Sequence, residues 1–405
     1  MKPIKLSADD PSDKKKCLIV YHFFAHYRLH IMRELMQDPD WEFEMLSDSK
    51  TVGGIKGINA ELAKQSLAAG GLRWGFVKNC FIFGRRFPLL WQKGLLKRLS
   101  RDDYDAVIFL GSIYFISTWV GVFKTQSMGK QVLFWTHGFL GKDGGLLSRI
   151  RHAFYRRADC CLLYGERAKK IMQDSGLYRS EKLKVIYNSL DYEPMERRRL
   201  AMKHEARSEL RHSLFGNDSD PIVVAVGRVN QLKRLDLLLR ALALLQDEKV
   251  VFRCLIVGDG SELESLKALA LELKVESHVL FYGAAYGEDA DGLLLASDIC
   301  VIPGDIGLSA MHAMSAGLPA ISHNNLARQM PEHEAIVDGE TGSLYEYESV
   351  PDLAKCIQSW ISNPGRIEVA RQACLNKVGT QYNMHYQVQM IKEALAGSKY
   401  ECQDN

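Results

Sequence analysis

The 405-residue sequence predicts an α/β protein of two Rossmann-like domains facing across a cleft. Three observations lead there. Short apolar runs, many β-branched, alternate with amphipathic stretches from end to end, the pattern of parallel sheets covered by helices. The alternation stops at a polar, turn-rich stretch in mid-chain and then restarts. Glycine-rich and polar motifs follow directly after predicted strands, where open α/β sheets bind ligands.

In the first domain, Cys17–His22, Trp41–Ser47, Asp105–Gly111, Gln131–His137, Cys160–Tyr164 and Lys184–Tyr187 read as strands. Arg28–Met36 and Phe87–Leu99 read as amphipathic helices. Charge is dense from Tyr192 to His212, and Phe215–Pro221 gathers turn formers. Strands then resume at Ile222–Val226, Arg253–Val257, Val279–Tyr282, Ile299–Ile302 and Ala320–Ser322, and a last helix is expected over Gln381–Leu395. The predicted division is 1–195, 196–375 and a terminal segment 376–405 whose helix packs back on the first domain.

Composition is that of a globular chain, 47% hydrophobic and 25% charged. No apolar run approaches the roughly 18 residues of a membrane span, and Met1–Lys16 is polar with no signal-peptide core after it. A cytoplasmic protein is expected. Nine cysteines without a Cys-x-x-Cys pair suit buried reduced thiols better than disulfides or zinc. Net charge is only +3, but residues 1–200 hold 34 Lys and Arg against 21 Asp and Glu, whereas the remainder holds 18 against 28. Arg73–Arg98 interleaves basic residues with Trp74, Phe76, Phe81, Phe83, Phe87 and Trp91 and has no acidic residue. Such a run suits the interface of an anionic membrane.

Strand Ile222–Val226 ends in Gly227-Arg228-Val229-Asn230-Gln231-Leu232-Lys233, directly before a helix. A guanidinium fork and an ammonium at one helix start suit a diphosphate. Strand Arg253–Val257 ends in Gly258-Asp259-Gly260, which lacks the third glycine of a dinucleotide fingerprint. Strand Ile299–Ile302 runs into Pro303-Gly304-Asp305-Ile306-Gly307-Leu308-Ser309, a loop whose amides face an anion at the next helix start.

These segments, in this order, resemble glycosyltransferase family 4, the retaining two-domain enzymes of GT-B type. Gly227, Arg228 and Lys233 match the family's Gly-Arg-x4-Lys, and Gly258 and Gly260 its next turn. Gly307, Ala313, Met314, Gly317 and Pro319 fall in register with its Gly-x4-Glu-Ala-Met-x2-Gly-x-Pro segment. Trp135-Thr136-His137-Gly138 and Tyr187-Asn188-Ser189-Leu190-Asp191 look like its His loop and interdomain segment. The resemblance runs from about Cys17 to about Ile361. It departs at the family's two glutamates, which are here Gly304 and His312.

The resemblance implies transfer of a sugar, with retention, from a nucleotide diphosphate donor to a hydroxyl. No cofactor or metal ion is expected, and no nucleic-acid partner. Arg228, Lys233 and His137 are the expected catalytic residues. Gly227, Gly258, Asp305, Gly307, Leu308, Ser309, His312 and Glu334 are expected at the donor, with His312 on the ribose and Asp305 standing in for the missing first glutamate. His22 and His26 are expected to line the acceptor site, and Glu332 reads equally well as a loop charge. The expected acceptor is a saccharide, lipid-linked at the inner face of a bacterial membrane, in surface polysaccharide synthesis. The rival readings are a sugar-nucleotide epimerase or phosphorylase of the same fold and a non-catalytic membrane-associated partner protein.

Overall fold

Strands form where lysine or polar residues give way to unbroken apolar runs, because a parallel sheet is covered on both faces. The computed structural model describes residues 14–51, 56–82, 89–101, 103–139 and 145–397. Two compact units emerge. The first takes the chain up to Leu163, Arg167–Ile186 and the residues from Val388 on; the second takes Tyr164–Glu166 and Tyr187–Gln387.

The first unit begins with β1 (Lys15–Val20), α1 (Leu29–Met36), β2 (Trp41–Ser47) and β3 (Trp74–Phe76). It continues with β4 (Lys78–Phe81), β5 (Leu90–Lys93), α2 (Leu95–Arg101), β6 (Ala106–Leu110) and α3 (Ile116–Ser127). Next come β7 (Gln131–Thr136), α4 (Gly145–Tyr155), β8 (Cys160–Leu163), α5 (Glu166–Asp174) and β9 (Leu183–Val185). Seven strands pair in the order β3-β2-β1-β6-β7-β8-β9, all parallel. Chain order reverses at β1, which lies between β2 and β6.

Of the expected helix Phe87–Leu99, the part Leu95–Leu99 is helical, within α2, while residues 87–88 lie outside the described residues. Residues 90–93 are instead strand β5, paired antiparallel with β4, and Gly94 (φ 108°) turns the chain into α2. Trp74 is buried in this region and its indole N–H donates to Ser47 Oγ (3.0 Å). Arg85 and Arg86 lie outside the described residues, as do Gly141 and Gly144 of the His loop.

The second unit comprises α6 (Glu193–Ala201), α7 (His204–Phe215), β10 (Ile222–Val226), α8 (Leu235–Asp247), β11 (Arg253–Val257) and α9 (Leu263–Glu272). It goes on with β12 (Val279–Gly283), α10 (Glu288–Ala296), β13 (Ile299–Val301), α11 (Leu308–Ser315), β14 (Ala320–His323) and β15 (Gly342–Tyr345). Then follow α12 (Val350–Ile361), α13 (Pro364–Thr380) and α14 (Met384–Gly397). Six strands pair in the order β12-β11-β10-β13-β14-β15, again all parallel. Order reverses at β10, whose five residues are all buried.

The amino end of α14 groups with the second unit, where Gln387 donates to Tyr187 O (2.7 Å). Its later part groups with the first, where Lys392 pairs with Asp38 (2.8 Å) and Asp40 (2.9 Å). Among the described cysteines, Cys17, Cys160, Cys161, Cys254, Cys300 and Cys374 are buried and none is bonded to another. No helix among the described residues is long and apolar enough to cross a membrane.

Candidate functional site

In the second unit the loops after β10, β11 and β13 press together backbone to backbone. A Cβ on Gly258 would lie 1.9 Å from Gly227 O, one on Gly260 2.1 Å from Val229 O, and one on Gly304 1.9 Å from Leu232 O. No side chain fits such gaps, so the glycines set how closely these loops approach. Gly227 itself has φ 133° and faces Ser309, whose hydroxyl donates to Val226 O (2.8 Å).

The β13 loop is fixed from several sides. Gly304 N–H donates to Lys233 O (2.9 Å) and Asp305 N–H to Leu232 O (2.8 Å). Ser322 Oγ donates to Gly304 O (3.0 Å) and Tyr345 OH to Pro303 O (2.8 Å). Lys233 Nζ donates to Asp305 O (2.8 Å) and Ile306 O (2.9 Å). Lys233 is therefore a clamp on this loop as well as a nearby positive charge, and burial pushes its pKa down. Arg228 is exposed and makes no side-chain hydrogen bond or ion pair among the described residues. Arg234, by contrast, is engaged by Asp236 (3.0 Å) and Glu348 (3.2 Å).

Gly307 (φ 53°) precedes α11, which opens with Leu308 and Ser309 and so offers their amides at a helix start. Asp305 is half-buried; burial raises its pKa, opposed by the charges of Lys233 and Arg328. His312 Nε2 lies 3.0 Å from Asp291 Oδ1, and the buried Asp291 also pairs with Arg198. When Nε2 donates to that carboxylate, Nδ1 is left as an acceptor.

Glu334 Oε2 accepts from the Glu166 N–H (2.6 Å), in the short 164–166 segment that groups with this unit. Glu332 is not a solvated loop charge: it is 5% exposed. Its Oε1 accepts from Asn188 Nδ2 (2.8 Å), while its buried Oε2 has no hydrogen-bond partner among the described residues. Burial raises its pKa. Sequence reasoning left Glu332 open as a loop charge and passed over Asp291; only the residues that surround each once folded mark them.

In the first unit, His137 follows β7 and His22 follows β1. Both surround the same buried Arg28, whose guanidinium stacks 4.9 Å from the Trp135 ring and 5.1 Å from Tyr21. Desolvation first, then the Arg28 charge, push His22, His30 and His137 down to about 4. His26 stands apart from this group: it is exposed and its Nδ1 lies 3.1 Å from Lys56 O. His22 and His26 were both expected at the acceptor; it is His30 and His137 that share Arg28 with His22. No metal-ligating group of three is present among the described residues.

Residues 206–376 match the Glycosyl transferases group 1 family. Over the full fold, the structure of HepE from Anabaena in complex with UDP superposes with a TM-score of 0.70, at 18% identity, covering 95% of this chain and 99% of that one. A glycosyltransferase structure from Rickettsia africae gives a TM-score of 0.74 at 15% identity, covering 96% and 100%. The chain is a glycosyltransferase of the GT-B fold.

Among sequence relatives, a Bacillus subtilis protein named as a glycosyltransferase, EpsD, is 25% identical over 287 residues, 67% of this chain and 71% of its own. The D-inositol 3-phosphate glycosyltransferase of Rhodococcus jostii is 33% identical over 171 residues. That match spans 40% of this glycosyltransferase and 37% of the relative, so it speaks for one domain rather than the whole chain.

Proposed function

We propose that this glycosyltransferase binds a nucleotide diphosphate sugar in its second unit and transfers the sugar, with retention, to a saccharide acceptor held by the first. The observation that carries the donor assignment is Arg228. It is an exposed guanidinium with no partner among the described residues, beside a loop that Lys233 and three close-packed glycines hold in place. Fixed donors next to a leaving diphosphate stabilise the charge that develops as the glycosidic bond breaks. The amides of Leu308 and Ser309 add hydrogen bonds to the same anion, and His312 Nδ1 accepts from a ribose hydroxyl. The neutral His137 contacts sugar hydroxyls from the first unit.

The cationic groups suffice for the leaving group in this reading, so transfer should survive chelation of divalent ions. The acceptor is a lipid-linked saccharide, and the chain attaches peripherally to the inner face of a bacterial membrane. With the described parts of the Arg73–Arg98 run divided among β3, β4, β5 and the start of α2, the stronger support for attachment is α4. Its exposed Leu146, Leu147 and Ile150 stand among exposed Arg149, Arg156 and Arg157, the mixture an anionic interface attracts.

A thermal-shift screen of nucleotide sugars tests the donor. A ligand at 100 times its Kd adds about 2.7 kcal/mol of stability. Transfer to a lipid extract is then followed with the donor that binds, and the anomeric configuration of the product is read by NMR. Consumption of donor without an acceptor would favour an epimerase, and an inverted product would remove the retaining assignment.

A further inference from the structure

Glu332 is a buried carboxylate with one oxygen answered and one not. Its Oε1 accepts from Asn188 Nδ2 (2.8 Å). The Ser189 N–H donates to Asn188 Oδ1 (3.1 Å), which fixes the amide with its NH2 toward Glu332. Glu332 Oε2 is buried with no hydrogen-bond partner among the described residues. A buried polar atom is costly unless something answers it.

The segment that carries Glu332 is laid along the loop after β13, within the second unit. Gln329 Oε1 accepts from the Ile306 N–H (3.4 Å). Gln329 Nε2 donates to Ser322 Oγ (2.7 Å), which itself holds Gly304 O (3.0 Å). Met330 lies against Gly307, where a Cβ would be 3.8 Å from Met330 Cγ. A short 3-10 turn, Pro331–Ala335, then sets Glu332 where its charge is felt at Lys233. Lys233 Nζ does not pair with it, being bound to Asp305 O and Ile306 O.

The fold gains nothing from this charge. A glutamine would keep the Asn188 bond through its own carbonyl oxygen, with no carboxylate to desolvate. Burial raises the Glu332 pKa, opposed by the Asn188 bond, its own amide and the charges of Lys233 and His333. A charge held at a cost in stability, beside a binding loop, marks a group with work to do. Whatever answers Oε2 must bring a hydrogen-bond donor and no negative charge. The diphosphate fails on both counts, since it is anionic and a carboxylate repels it. The sugar attached to it carries hydroxyls and suits both.

We infer that Glu332 Oε2 accepts a hydrogen bond from a hydroxyl of the nucleotide sugar's transferable sugar, and so helps set which sugar this glycosyltransferase takes. The inference rests on the donor reading of the second unit. Asp305 is the other carboxylate whose charge is felt at Lys233. It is half-buried and its side chain is held by no hydrogen bond among the described residues. Glu332 is the one already fixed in place before a substrate arrives, as a specific contact requires.

The test is calorimetric titration of the full chain with UDP-glucose, UDP-galactose, UDP-N-acetylglucosamine and GDP-mannose, each beside its bare diphosphate, UDP or GDP. The tightest nucleotide sugar is then titrated into Glu332→Gln and Asp305→Asn. Glu332→Gln should bind the nucleotide sugar about tenfold or more weakly and the bare diphosphate within about twofold of the parent. Its Tm should be no lower than the parent's. Asp305→Asn should change the ratio of the two affinities less than Glu332→Gln does. A glutamate that only builds the fold would give a lower Tm and an equal loss for both ligands. That pattern, an unchanged ratio in Glu332→Gln, or a larger change of ratio in Asp305→Asn would overturn the inference. Diphosphate binding that Arg228→Ala weakens, with the ratio unmoved in Glu332→Gln, would sink this inference and leave the donor reading standing. If neither UDP nor GDP binds the parent, the donor reading falls and this inference falls with it.

Discussion

Restoring the glutamate that the family resemblance expects at position 304 should damage this protein rather than improve it. The ideal Cβ of any residue there lies 1.9 Å from Leu232 O and 2.8 Å from the Lys233 carbonyl carbon. Both neighbours are backbone, so the two loops must part. Parting them breaks Gly304 N–H to Lys233 O (2.9 Å) and Asp305 N–H to Leu232 O (2.8 Å). Each such bond contributes about 0.5–1.5 kcal/mol net, and forced overpacking costs about 1–3 kcal/mol. The expected loss is therefore about 2–6 kcal/mol, a fall in Tm of at least about 5 °C for a unit of this size. The clash begins at Cβ, so Gly304→Ala should show most of the loss and Gly304→Glu at least as much. Transfer activity should drop in both, because the same parting loosens Lys233 Nζ from Asp305 O and Ile306 O. The assay is thermal melting and urea unfolding of both variants beside the parent. A Gly304→Ala protein within about 0.5 kcal/mol of the parent, the range of ordinary surface changes, would refute the reasoning.

Arg228→Ala should lower kcat/KM by about 10- to 100-fold with an unchanged Tm, since it holds nothing in the fold. Lys233→Ala should lower both, because two carbonyls lose their donor; a destabilised Arg228→Ala would contradict this division. Glu332 has a folded pKa above its ordinary 4.5, so the folded state binds more protons and stability is lost as pH rises through that window. Glu332→Gln should therefore stabilise at neutral pH and gain nothing at pH 4 by urea unfolding, and destabilisation at neutral pH would count against it. His22 and His30 sit near 4 instead of 6.5, so their contribution is complete above 6.5 and is lost as pH falls toward 4. Each accounts for up to about 3 kcal/mol. A flat stability profile across that window would refute the Arg28 cluster as described.

The second sheet was the more legible half. Strands β10 and β11 begin and end where the sequence placed them, at Ile222–Val226 and Arg253–Val257. They are covered on both faces and so read as unbroken apolar runs. The stretch 74–101 was not legible, because its short runs of Trp, Phe, Leu and Lys satisfy a helical period as well as a strand's. Gly94 then divides what looked continuous. Site chemistry followed the same rule of distance. Gly227, Arg228 and Lys233 lie in one turn and announce themselves. Glu332 is defined by Asn188, 144 residues away, and His312 by Asp291 on a neighbouring helix. A single sequence carries no sign of such pairings, nor of the gathering of His30 and His137 with His22 around Arg28.

The buried thiols bear on how this protein can be watched at work. Burial pushes Cys160, Cys254, Cys300 and Cys374 to about 12 and Cys356 to about 11, and Cys17 and Cys161 also upward. Maleimides react with thiolates, so the six buried ones should stay dark at neutral pH. Replacing Cys80 and Cys356, which are only half-buried, and Cys402, which lies outside the described residues, would give a background on which single reporter cysteines can be placed at will. One fluorophore in each unit would then follow their separation, donor by donor, in solution.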